Sequence, residues 1–444
     1  MPPPVAAYST ETRDWWRNFA SPALAELQQR ALGNSHAFQA ERESLAQALY
    51  RARQARAVLL PGVNASGSGS HKGTGTSGGY QKSDALSGTL QVSYELDIWG
   101  ANKETAQAAG HRFIAGLNAW RGAGLSLESE VALTYFSYLA ARENLAVYDA
   151  TLRNAGEVLA YQETREKLGA TAPLDVARQR SSVSSMEAGR INHLIKMTAA
   201  RNSLCQIIGV TELPADLIAL MEKENIGSLV PPAISAGIPS DLLLRRPDLA
   251  QAEANLKAAN ADIGVARAAF LPGISLSASA GWQSDSLSSL ISPASALFSL
   301  GTSLLQPIFQ GGKILNNYEE TLAAYRELME RYRETALAAF LEVATALDSN
   351  TFLQEQEAHR NLSRQQAAEA YRIARLRYEA GAEDFLAVLN AQESVLNAEN
   401  QTVQSRLERL NTAVALFKAL GGGWITEEAS FLEKPSRGAG ASPD

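Results

Sequence analysis

Residue types able to do covalent or metal chemistry are few in this chain and widely scattered. Its five histidines are His36, His71, His111, His193 and His359, and no two stand three to five residues apart, the spacing that puts a ligand pair on one helical face. A single cysteine, Cys205, cannot make an intrachain disulfide or a thiolate metal cluster. Gly73-x-Gly75-x-x-Gly78 has the glycine spacing of a dinucleotide-binding turn. No helix pattern follows it, however, and the run reads as an exposed hairpin loop. Forty basic against 47 acidic side chains leave a net charge of −7, which excludes a nucleic-acid partner held by bulk positive charge. No catalytic residue, metal or cofactor is therefore expected, and the chemistry that remains is that of carboxylates, aromatics and glycines at two short turns.

Those turns belong to an internal duplication. Pro61, closing Ala55-Arg56-Ala57-Val58-Leu59-Leu60, is matched 211 residues later (272 − 61) by Pro272, closing Arg267-Ala268-Ala269-Phe270-Leu271. Asp97-Ile98-Trp99-Gly100 followed by Lys103 is matched at an offset of 210 (313 − 103) by Pro307-Ile308-Phe309-Gln310 followed by Lys313. Leu168-Gly169-Ala170 and Ala380-Gly381-Ala382 stand 212 apart (381 − 169), as do Ile208-Gly209 and Leu420-Gly421. Four landmarks in one order at a near-constant offset define a tandem repeat of about 210 residues.

Each repeat has the same internal order. A helical stretch, 22–57 or 241–268, runs to the Leu-Pro landmark, where proline restricts the residue before it. Period-two segments follow. Leu86, Leu90, Val92, Tyr94 and Leu96 alternate with Ser87, Thr89, Gln91 and Ser93, and Ile274 to Trp282 and Phe298 to Leu304 alternate against serine and glycine in the same way. Val63–Ser70 is a weaker, Gly/Ser-rich candidate strand. Then come stripes stepping by three and four over about 101–167 (Val131, Tyr135, Tyr138, Arg142 through Leu159) and 313–380. At 1.5 Å per residue such helices are about 100 Å long, too long for a compact globule and suited to coiled-coil packing. Partner helices return over 174–208 and 385–420. The layout is thus a first repeat, 1–212, with a β-hairpin near 58–99 and a tip near 168–174. A Pro-rich linker or belt spans 213–240, and a second repeat, 241–424, has its hairpin near 271–309 and tip near 380–385. A polar tail covers 425–444.

The longest uncharged stretch, Ser286–Gly312, contains Pro293 and Pro307 and so is not a spanning helix, and Met1–Ala7 has neither the basic nor the apolar region of a secretory leader. Four strands in two hairpins cannot close a barrel, and open edges are not tolerated in hydrocarbon. Strands that meet lipid must therefore be pooled by several chains; the alternative is a small soluble sheet on a non-transporting coiled-coil scaffold.

Tyr94-Glu95-Leu96-Asp97-Ile98-Trp99-Gly100, Ser240-Asp241-Leu242-Leu243-Leu244-Arg245-Arg246-Pro247-Asp248-Leu249, Ala266-Arg267-Ala268-Ala269-Phe270-Leu271-Pro272 and Gln306-Pro307-Ile308-Phe309-Gln310-Gly311-Gly312 resemble the trimeric outer-membrane efflux ducts of the TolC-like family. The likeness runs from about Trp15 to Trp424, and the Arg-Arg-Pro-Asp-Leu run is most similar to members paired with resistance-nodulation-division pumps. It implies an α+β membrane protein of Gram-negative bacteria, a homotrimer with a twelve-stranded β-barrel in outer-membrane lipid and a periplasmic coiled-coil tunnel. It further implies that the tunnel is closed at the helical tips and opened by a periplasmic adaptor and an inner-membrane pump.

Carried over residue by residue, the resemblance puts a gate at Tyr378 and on the returning helix at Ala387 and Asn390, where family members generally have acidic residues. Asp175 is the equivalent in the first repeat, with Glu383 and Asp384 at the second turn. Asp175 and Asp384 also suit helix N-termini on charge grounds alone, and Tyr378 suits a core aromatic. Adaptor docking falls to Leu168, Gly169, Ala170, Gly381 and Ala382, whose bare turns admit a partner backbone. Of Trp15, Trp16, Trp99 and Trp282, the strand-adjacent Trp99 and Trp282 are the expected membrane-interface anchors. Cys205, on an apolar helix stretch, reads as a buried small hydrophobe.

Overall fold

A computed structural model describes residues 14–231 and 246–422. The start of the chain, the later part of the 213–240 linker, Ser240 to Arg245 and the 425–444 tail lie outside the described residues. Elements run α1 (Pro22–Asn34), α2 (His36–Ala57), β1 (Gly62–Thr76), β2 (Gly79–Leu96), α3 (Ala101–Lys167), α4 (Pro173–Ile207) and α5 (Ala215–Glu222). They continue with α6 (Pro247–Ala268), β3 (Gly273–Ser284), β4 (Ala296–Leu305), α7 (Lys313–Glu379) and α8 (Phe385–Ala419). The duplication is visible in element lengths: α2 and α6 each have 22 residues, α3 and α7 each 67, α4 and α8 each 35. Among the described residues no helix is long and apolar enough to cross a membrane.

The chain divides into two compact units. One comprises Arg42–Ala119 and Asp248–Thr335 and holds a single antiparallel sheet in the order β1-β2-β3-β4. Its register sets Leu90 opposite Ala65 and Ala280, and Ala280 opposite Phe298, so one face collects the Val, Leu, Ala, Phe and Trp side chains. The other face is hydroxyl-lined, with cross-strand pairs Ser66–Thr89, Ser68–Ser87 and Ser279–Ser299 each at 2.8 Å. A one-residue slip would exchange the two faces, so this alternation fixes the register.

The Gly73–Gly78 run is not a loop, as the sequence suggested. β1 continues through Thr76 and pairs with β2 to its end, leaving only Ser77 and Gly78 in the turn. The Tyr80 ring lies across the bare backbone of Gly73, 3.7 Å from where a Cβ would stand, and covers the strand that glycine alone would leave thin.

The second unit comprises the described parts of Met1–Glu41, Trp120–Pro247 and Ala336–Asp444. The helix anticipated over 22–57 is broken at Ser35. α1 starts on the Ser21 side chain, which accepts from Leu24 N–H at 2.9 Å, with Pro22 in the first turn. The linker carries a helix of its own, α5, whose Leu217 and Met221 are buried in the main core with Leu24, Leu27, Tyr135, Phe136, Leu139, Leu204 and Leu410. Trp15 and Trp16 belong to this core rather than to an interface, Trp15 stacking on Phe417 at 5.3 Å. Cys205 is buried beside them, and desolvation raises its thiol pKa. Glu224 ties the elements together, accepting from Ser21 Oγ (2.5 Å), Ala23 N–H (2.9 Å) and Tyr135 Oη (2.8 Å).

Candidate functional site

Both long helices end in the same way. At the first tip Gly169 N–H donates to Glu166 C=O (2.9 Å) and Ala170 N–H to Arg165 C=O (2.8 Å). At the second, Gly381 N–H donates to Tyr378 C=O (2.9 Å) and Ala382 N–H to Arg377 C=O (2.8 Å). These are Schellman closures, and they demand a left-handed residue: Gly169 has φ 69° and Gly381 φ 73°. Leu168, Gly169, Ala170, Gly381 and Ala382 are all exposed, Leu168 with 77% of its surface free.

Beside the turns lies an open crevice of about 420 Å³, lined among others by Arg165, Thr171, Asp175, Arg178, Tyr378 and Asp384. Asp384 caps α8, its Oδ1 accepting from Ala387 N–H at 2.9 Å. Asp175 sits in the first turn of α4 with Arg178 Nη1 at 4.0 Å, and Glu383 faces Arg377 Nε at 3.5 Å. The carboxylates are thus placed by helix-terminal electrostatics and by arginine partners. Ala387 is half-buried and Asn390 exposed.

Tyr378 has a different setting. Its half-buried ring packs on Phe385 (centroids 5.4 Å apart), in a cluster with Val158, Tyr371, Val388 and Leu389. Its hydroxyl accepts from Gln162 Nε2 at 2.8 Å, and Gln162 Oε1 accepts from Thr171 Oγ1 at 3.0 Å. Gln162 is fully buried and joins the second hairpin to the tip of the first. Sequence reasoning missed Gln162, Thr171 and Phe385. A signal did exist: Gln162 falls three residues after Leu159 on the apolar stripe of α3, and a lone polar residue in a helical seam is a register device.

Trp99 and Trp282 belong to the sheet-bearing unit. Trp282 lies on the apolar face between Gly88 and Ala296, and Trp99 donates from Nε1 to Pro272 C=O at 2.8 Å; both rings are exposed.

The family model described as "Outer membrane efflux protein" matches residues 27–210 and 238–422, one match per repeat. The chain belongs to this family. It is 36% identical to the pyoverdine export outer membrane protein OpmQ of Pseudomonas aeruginosa, over 96% of this chain and 90% of that one. It is 34% identical to the toluene efflux pump outer membrane protein TtgF of Pseudomonas putida, over 94% and 87%. Its fold matches the Campylobacter jejuni CmeC outer membrane channel with a TM-score of 0.84 at 26% identity, covering 96% of this chain and 92% of that one. The protein is therefore an outer-membrane efflux channel of the trimeric TolC-like fold, contributing four barrel strands per chain and a periplasmic helical tunnel. The non-transporting scaffold considered from the sequence is set aside.

Proposed function

We propose that the protein is the passive exit duct of a tripartite efflux system, closed at its periplasmic helical tips and opened when an adaptor docks there. The inner-membrane partner in this reading is a pump of the resistance-nodulation-division type. The observation that carries the gate is the Thr171–Gln162–Tyr378 chain, which holds the two hairpin tips of one protomer together through a buried amide. Adaptor docking uses the exposed, backbone-bare turns at Leu168–Ala170 and Gly381–Ala382, which leave room for a partner's helical hairpin.

The constriction differs from a carboxylate ring. With Ala387 and Asn390 at the returning-helix positions, three protomers offer amides there, which narrow a passage with little attraction for cations. Asp175 and Asp384 line the crevice together with Arg165 and Arg178, which balance their charge, and Glu383 is shared with Arg377. Relatives named for pyoverdine, toluene and antibiotic efflux span unlike chemistries, which suits a duct whose cargo the pump selects; small organic compounds are the proposed cargo.

Conductance across a planar bilayer tests this. Tyr378→Phe removes one hydroxyl and one hydrogen bond worth about 1 kcal/mol, so open-state occupancy should rise roughly fivefold. Asp384→Ala, which uncaps α8 at the tip, should raise it too. Unchanged conductance in Tyr378→Phe, Gln162→Leu and Asp384→Ala alike would remove the tips from the gate.

A further inference from the structure

The four junctions between helices and strands carry a second pattern that the gate does not use. In the antiparallel sheet all four junctions lie at one end, since Gly62 pairs with Ser93, Leu96 with Ile274 and Gly273 with Leu305. Every junction exposes apolar side chains with a cation a few residues away. Leu60 is exposed after Arg56, and Trp99 before Lys103. In the second repeat Leu271 is exposed after Arg267, and Phe309 before Lys313. All four cations are themselves exposed, and the two repeats place them in equivalent positions.

Helix electrostatics accounts for only half of them. Arg56 and Arg267 sit in the last turns of α2 and α6, where a positive charge complements the dipole. Lys103 and Lys313 sit in first turns, where the dipole disfavours them, and the first turn of α7 has no acidic residue to compensate. The acids beside Lys103, Asp97 and the first-turn Glu104, make no ion pair with its side chain. Asp97 accepts from Asn102 N–H (2.9 Å) and Lys103 N–H (2.8 Å) as the cap of α3, and Glu95 lies in register on the hydroxyl face of β2. Arg56, Lys103 and Lys313 have no ion pair among the described residues. Arg267 lies over the Tyr318 ring at 5.9 Å, which fixes the guanidinium direction but leaves its donors free.

We infer that this collar is a binding surface for anionic phospholipid of the periplasmic leaflet. The exposed apolar side chains meet the edge of the hydrocarbon, and Arg56, Lys103, Arg267 and Lys313 reach the phosphates. The occupant follows from two facts. The collar adjoins the ends of strands whose apolar face is, in the barrel reading, the lipid-facing one. It also lies at the end where the strands join the periplasmic helices, so the leaflet it meets is the inner one. Long cationic side chains bury their stems against such an edge and keep their charge in the headgroup layer. A trimer would present twelve cations around the barrel base, enough to select lipid by charge. The inference rests on the barrel reading of the sheet.

The test uses the full chain reconstituted in liposomes, with quenching of Trp99 by brominated phosphatidylglycerol or brominated phosphatidylcholine. The Trp99 signal is isolated as the difference between wild type and Trp99→Phe. Phosphatidylglycerol should be preferred by about fivefold, the effect of one cation at a lipid surface, or more. That preference should fall toward parity at about 1 M salt, where the screening length is about 3 Å. It should also fall toward parity in the quadruple variant R56Q/K103Q/R267Q/K313Q, and fall partway in the milder K103Q/K313Q should the quadruple variant fail to form trimers. Equal quenching by both lipids in the wild type overturns the inference and leaves the barrel reading intact. A preference that survives in K103Q/K313Q without loss overturns it as well. Quenching by neither lipid overturns both.

Discussion

Glu128 offers a prediction whose size can be worked from its surroundings. It lies on α3 in the main core, 4% exposed, and one carboxylate oxygen accepts from Trp15 Nε1 at 3.0 Å. Desolvation pushes its pKa up from 4.5 to about 8, against the Trp15 hydrogen bond and with help from the Asp14 charge. A folded-state pKa above the unfolded one means that the native protein holds a proton the unfolded chain releases. Below about pH 4.5 both states are protonated and nothing is lost; between there and pH 8 stability falls by about 1.4 kcal/mol per unit. At pH 7 the accumulated cost is about 3 kcal/mol. Glu128→Gln keeps an oxygen for Trp15 and cannot ionise. Its denaturation midpoint should match wild type near pH 4.5 and exceed it increasingly toward pH 8, measured by Trp fluorescence on the detergent-solubilised trimer. A Glu128→Gln variant that is less stable at pH 8, or shifted equally at both ends, would refute the reasoning.

Gly209→Ala should be far more damaging than its size implies. Gly209 has φ 70°, and a Cβ there would stand 2.6 Å from the Asn34 backbone oxygen, so roughly 3 kcal/mol or more is expected, read as loss of folded trimer. Glu357 is buried between Arg406 (2.6 Å) and Arg409 (2.5 Å). Burial works to raise its pKa, but the two arginines outweigh it and hold the carboxyl low, so its contribution is present above about pH 4.5 and lost as pH falls below it. Glu357→Gln should therefore cost about 3 kcal/mol at neutral pH and much less in acid, seen in pH-dependent melting. Asn390→Asp would give the trimer a carboxylate ring at the tips. Its conductance should become sensitive to multivalent cations, whereas wild type should not, and identical cation responses would show that position 390 does not face the passage.

The sequence by itself determined whatever is written in local period. Alternation of Leu90, Val92 and Tyr94 with Gln91 and Ser93 specifies a two-faced strand, and the stripe from Val131 to Leu159 specifies a long coiled-coil helix. Repeated landmarks at a near-constant offset revealed the duplication, and Gly169 and Gly381 marked both tips, because few other residues adopt the left-handed closure there. Only the tertiary structure decided which elements meet. It buried Trp15 and Trp16 and packed α5 into the core. It also paired β2 with β3, and hung Tyr378 on Gln162 across 216 positions of chain. The reason is physical: a side chain's period is set by its neighbours three or four residues away, whereas burial and hydrogen-bond partners come from segments hundreds of residues distant. Trp15 can mark an interface or fill a core, and Glu128 can be a surface carboxylate or a buried acid. Nothing in their local sequence distinguishes these fates until packing removes the water.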